Sequence, residues 1–107
     1  MNNLTTFEDF LKACQNNHPP KIWSKGLQAL WYDAKGEWDA SHDIAQDLPS
    51  ELGSWIHAYL HRQEGDQFNA NYWYRRANRP SPNLTLDEEF KLLVEYVIKS
   101  QIFNRSK

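Results

Sequence analysis

Apolar residues recur along this chain at helical spacing and nowhere alternate strictly with polar ones, so the pattern predicts helices throughout and no strand. Phe7, Phe10, Leu11 and Cys14 form the first stripe, and Thr6 followed three residues on by Asp9 has the form of a capping box. This helix is expected to stop near Asn16–Asn17, ahead of Pro19. The Pro19–Pro20 pair suits the first turn of a second helix, from about Lys21 to Lys35, with Trp23, Leu27, Leu30, Trp31 and Ala34 on its buried face. Gly36 supplies a left-handed residue to end it. Glu37 through Leu48 restart the period with Trp38, Ser41, Ala45 and Leu48, and Pro49–Ser50 breaks it.

A fourth helix is expected from about Glu51 to Glu64. It carries Leu52, Trp55, Ile56, Tyr59 and Leu60 on one broad side and Ser54, His57, Ala58 and His61 on the adjacent one, leaving Arg62, Gln63 and Glu64 for solvent. Gly65 closes it and Asp66 caps the next, Gln67 to Asn78, with Phe68, Ala70, Trp73, Tyr74 and Ala77 as its apolar positions. Arg79-Pro-Ser-Pro82-Asn reads as a stiff linker. Thr85 with Glu88 is a second capping box, opening a last helix to about Phe103 with Leu86, Phe90, Leu93, Val94, Val97 and Ile98 as its stripe. Glu8, Asp9, Glu88 and Glu89 read as first-turn acids that favour a helix N-terminus. The reading is an all-α single domain, 1–107, of about six helices: antiparallel hairpins over 21–48 and 51–78, an N-terminal helix, and a C-terminal capping helix over 84–104.

Composition narrows the classes. A 107-residue chain removes roughly two thirds of its unfolded surface from water, enough for a core without staples. The single cysteine, Cys14, has no internal partner, no apolar run is long enough to span a bilayer, and MNNLTTFEDF lacks the basic-then-apolar order of a secretory signal. A cytoplasmic protein without membrane partners is therefore expected. A net charge of −2 supplies no field toward nucleic acid, so any anion site must be local. Aromatic residues make up 14% of the chain, with five tryptophans, and must fill a core or line a cleft. Exposed aromatics on so small a domain leave a homodimer open.

The chain also repeats itself. Ala29-x2-Tyr32-x3-Gly36-Glu37 returns 29 residues later as Ala58-x2-His61-x3-Gly65-Asp66, and a small residue stands five past each glycine, Ser41 and Ala70. Ala58, His61, Gly65-Asp66, Ala70-x3-Tyr74, Ala77 and Pro82 together resemble a tetratricopeptide-type repeat of the Sel1-like variety, closely over Ser54 to Pro82 and loosely over Gly26 to Gly53. The run HAYLHR-EGD-NA-YWYRRA also resembles a family of small uncharacterised bacterial proteins. The repeat resemblance implies a helical-hairpin architecture and a groove for a partner. Trp55, Tyr59 and Arg62 would line it, unless the terminal helices cover that face. This chain departs from the repeat pattern by putting His57 at a leucine position and His61 at a large aromatic position.

Candidate chemistry gathers at those imidazoles. His57, His61 and Glu64 stand at i, i+4 and i+7 on one helical face, a spacing that can hold a divalent metal. His42, beside Asp39 and Asp43 on the preceding helix, offers a further ligand or a base. Tyr72 and Arg76, within the run Tyr72-Trp73-Tyr74-Arg75-Arg76, could hold a small ligand by stacking and by a planar guanidinium fork, although consecutive helical residues cannot all face one ligand. Two function classes remain. One is a non-enzymatic module binding a peptide or small ligand in a cleft between helices three, four and five, using Trp55, Tyr59, Arg62, Tyr72 and Arg76 and needing no cofactor. The other is a small metal-binding or hydrolase-like enzyme using His42, His57 and His61. Imidazoles individually buried and hydrogen-bonded would fit a scaffold; imidazoles converging within ligand distance would fit a site.

Overall fold

The computed structural model describes residues 4–105 and is all-α. Its helices are α1 (Phe7–Ala13), α2 (Lys25–Ala34), α3 (Trp38–Asp47), α4 (Glu51–Gln63), α5 (Gln67–Arg76) and α6 (Leu86–Arg105). Both expected capping boxes form. Thr6 accepts from the Asp9 amide while the Asp9 carboxylate takes the Thr6 amide, and Thr85 and Glu88 exchange the same pair of bonds at 3.1 and 2.9 Å.

α2 pairs with α3, α3 with α4, and α4 with α5, while α6 lies across α1, α2 and α4. The two internal turns are built alike. Gly36 (φ 81°) and Gly65 (φ 88°) take the left-handed conformation, and the next amide reaches five residues back, Glu37 N–H to Tyr32 O and Asp66 N–H to His61 O, each at 2.9 Å. The 29-residue echo in sequence is thus an echo in backbone hydrogen bonding. Ser41 and Ala70 are fully buried, and their small side chains let each hairpin close. At Gly53 an added Cβ would overlap the Leu48 carbonyl oxygen, so the start of α4 sits directly on the end of α3.

The core of Phe10, Leu27, Leu30, Trp31, Ile56, Leu60, Leu93 and Val94 lies where α1, α2, α4 and α6 meet. Several positions depart from the sequence reading. α2 begins at Lys25, because Ser24 takes the cap, accepting from the Leu27 amide, and the Trp23 amide closes a turn onto Pro20 O. Leu11 and Phe68, expected inside, are 45% and 84% exposed. Arg62, expected in solvent, forms an ion pair at 2.7 Å with Glu89, which is in the first turn of α6 as expected and is fully buried. Glu89 also accepts from Tyr74 Oη at 2.6 Å and Trp55 Nε1 at 3.1 Å, and Arg62 donates to Leu84 O, so one carboxylate ties α6 to α4 and α5. Among the described residues no helix is long and apolar enough to cross a membrane.

Candidate metal centre

The turn at Gly65 ends α4 just after His61, and the close seat of α4 on α3 brings His42 over the same face. His42, His57 and His61 thereby converge, with one ring nitrogen of each within 4.8 Å of the others. Ring centroids are 4.4 Å apart for His42–His57, 4.9 Å for His57–His61 and 5.5 Å for His42–His61. A tetrahedral zinc with Zn–N of about 2.1 Å sets its donors about 3.4 Å apart, so side-chain rotations must draw the nitrogens together by up to about 1.4 Å to reach bonding distance.

Aromatic walls fix two of the three rings. His57 lies parallel to Trp73 of α5 at 4.0 Å, and His42 lies parallel to Trp38 at 4.8 Å. Trp38 is itself pinned by its Nε1–H, which donates to Leu60 O at 3.0 Å. His61 Nδ1 meets Glu64 Oε2 at 2.8 Å. A carboxylate accepting from Nδ1–H holds the tautomer with its lone pair on Nε2, the usual way a metal-ligating imidazole is oriented. Asp66 stands beside this pair, and one ligand atom each from His61, Glu64 and Asp66 also falls within 4.8 Å of the others.

His57 carries the anomaly. It is buried, and its Nδ1 has no hydrogen-bond partner. An unpaired buried polar atom costs about 1–3 kcal/mol, and native interiors tolerate few of them. Burial first, then the neighbouring His42 and His61, push its pKa down to about 4. Its imidazole is therefore neutral near pH 7, as a metal ligand must be. A donor set of three imidazole nitrogens suits zinc, copper, nickel, cobalt or iron, and it does not suit the oxygen-seeking magnesium or calcium.

The remaining candidates divide between two places. Trp55, Tyr59 and Arg62 point toward α6: both aromatics are buried, Trp55 packs edge-on against Tyr96 at 5.3 Å, and Arg62 is held by Glu89. Tyr72 and Arg76 lie together on α5, the guanidinium 5.8 Å from the Tyr72 ring and 5.4 Å from the Trp73 ring. They flank the histidine cluster through Trp73. Asp39 and Asp43 are exposed and belong to neither metal-competent group. Trp38 and Trp73 were legible only as core aromatics. Trp38 precedes His42 by four residues, which already placed both rings on one helical face.

Comparison with protein-family models, with curated proteins and with solved structures finds no match to this chain. The reading of the site therefore rests on its own geometry and chemistry.

Proposed function

We propose that this protein binds a divalent transition metal through His42, His57 and His61, in the cleft between α3, α4 and α5. The observation that carries the reading is the buried, unpartnered Nδ1 of His57 within a cluster of three imidazoles. Trp23 Nε1 and Ser41 Oγ are also buried without a partner, but of the three only His57 Nδ1 stands within a cluster of imidazoles whose lone pairs a metal could use. Glu64 orients His61, and the Trp38 and Trp73 faces hold the other two rings in place. Three protein ligands leave a coordination position for water or a small molecule, the pattern of open metal sites and not of closed structural ones. The peptide-groove reading is weaker, since Trp55, Tyr59 and Arg62 are spent on contacts with α6.

The test is metal content and metal-dependent melting at neutral pH, with and without chelator. One equivalent of Zn2+ or Co2+ is expected, and metal at 100 times its dissociation constant should add about 2.7 kcal/mol. For a domain of this size that is a rise in Tm on the order of 10 °C. His57→Leu should abolish the shift. A protein that binds no metal and melts identically in zinc and in chelator would refute the proposal.

A further inference from the structure

Two exposed helix faces carry opposite charge. On α5, Phe68, Tyr72 and Arg75 stand at i, i+4 and i+7 with Arg76 beside them, and all four are exposed, Phe68 by 84%. α5 contains no acidic residue. On α3, Asp39, Asp43 and Asp47 stand at i, i+4 and i+8, all exposed, and α3 contains no lysine or arginine. Among the described residues the ion pairs are His61–Glu64, Arg62–Glu89 and Lys91–Glu95, so none of these aspartates and arginines is paired within the chain. Neither face is explained by its own helix. A phenylalanine in water forgoes the gain of burial, and Asp47, in the last turn of α3, meets the negative end of the helix dipole. The two faces belong to neighbouring helices: α3 and α5 both pack on α4, His42 and Trp73 both touch His57, and Gln46 and Arg76 line one cavity.

We propose that two copies of this chain form a two-fold symmetric dimer in which α5 of each lies on α3 of the other. Because the acidic and the basic face sit side by side on one molecule, a two-fold axis between them sets each α5 against the partner's α3. Both sets of opposite charges are then met at once, and the assembly closes at two copies. The arginines offer carboxylates a bidentate fork, and Phe68 and Tyr72 supply aromatic area that the contact removes from water. A second copy is favoured over an unrelated acidic partner because the chain carries the matching face itself, on the corresponding helix of the preceding hairpin. The dimer does not depend on the metal reading above.

The test is the molar mass of the full-length protein by sedimentation equilibrium, in chelator so that no metal bridges copies. A dimer is expected at low ionic strength, and its dissociation constant should rise about tenfold between about 20 mM and about 500 mM salt. Arg75→Glu/Arg76→Glu and Asp43→Lys/Asp47→Lys, all at exposed positions, should each be monomeric, since like charges then face each other at both contacts. Mixed in equal amounts, the two variants should recover a heterodimer of native affinity, because both contacts again join opposite charges. A native protein that stays monomeric in low salt would overturn the proposal, and if it then bound a peptide copying residues 37–48, the α5 face would belong to another acidic partner. A dimer indifferent to salt and to both reversals would overturn it by placing the interface elsewhere, as would growth beyond two copies or folded variants that fail to rescue each other.

Discussion

At the scale of single residues, His57 is where packing leaves a buried polar atom unsatisfied. The ring is enclosed by His42, His61 and Trp73, yet one of its nitrogens has nothing to bond. Replacing it with leucine, close in volume and without polar atoms, removes the orphaned group. Metal-free His57→Leu should therefore melt higher than the metal-free native protein, by about 1–3 kcal/mol, while losing all response to zinc. Chemical denaturation of both proteins in chelator checks this. A metal-free variant less stable than native would mean that the imidazole packs better than any hydrocarbon can, and would make it a structural residue. The spacing of His57 and His61 was visible in the sequence because helical periodicity alone puts them on one face. The orphaned nitrogen was not, since satisfaction of a polar atom depends on what the neighbouring helices bring.

At the scale of elements, the helices and their turns were legible and their shared faces less so. Gly36 and Gly65 announced two turns of one kind because only a left-handed residue ends a helix in that way. The start of α2 was misplaced because proline tolerates a helix's first turn without demanding it, and the Ser24 cap decided the matter. Arg62 was misread for a different reason. It lies on the polar side of its own helix pattern, and it meets the buried Glu89 only because α6 crosses α4 at that point. Their pairing makes Arg62 a fastener, not a residue of an open groove. Arg62→Ala would leave a fully buried carboxylate without its countercharge and should cost about 3 kcal/mol or more, seen as a lowered denaturation midpoint. The histidine cluster is contributed by α3 and α4, on another face of α4. Zinc should accordingly still raise the melting temperature of the variant, provided it is measured below that lowered midpoint; an Arg62→Ala protein of native stability would remove the fastener from the account.

At the scale of the whole molecule, acid should act on this protein in two stages, and the metal should set where the first begins. The folded pKa of His57, about 4, lies below its unfolded value of 6.5. Above pH 6.5 the ring is neutral in both states and contributes no pH dependence. Between pH 6.5 and 4 the unfolded chain binds the extra proton, so metal-free stability falls with acidification, by roughly 3 kcal/mol in all. Below pH 4 that contribution is level. Asp9 and Asp66, held low mainly by hydrogen bonds from Thr5 and from Asn69, then add a second loss as they protonate. Asp33 acts on the upper stage instead: burial raises its pKa above the unfolded value, so the folded state takes up that proton first and offsets part of the His57 loss. Two-stage behaviour should be plain in denaturation midpoints of the metal-free protein taken from pH 8 to pH 3, and His57→Leu should lack the upper stage only. With zinc bound, protons compete with the metal for three imidazoles at once. The holo protein should then lose its advantage over the metal-free form steeply as pH falls through the histidine range. A zinc-induced stabilisation constant from pH 8 to pH 4 would show that the ion sits on carboxylates such as Glu64 and Asp66 and not on the three histidines.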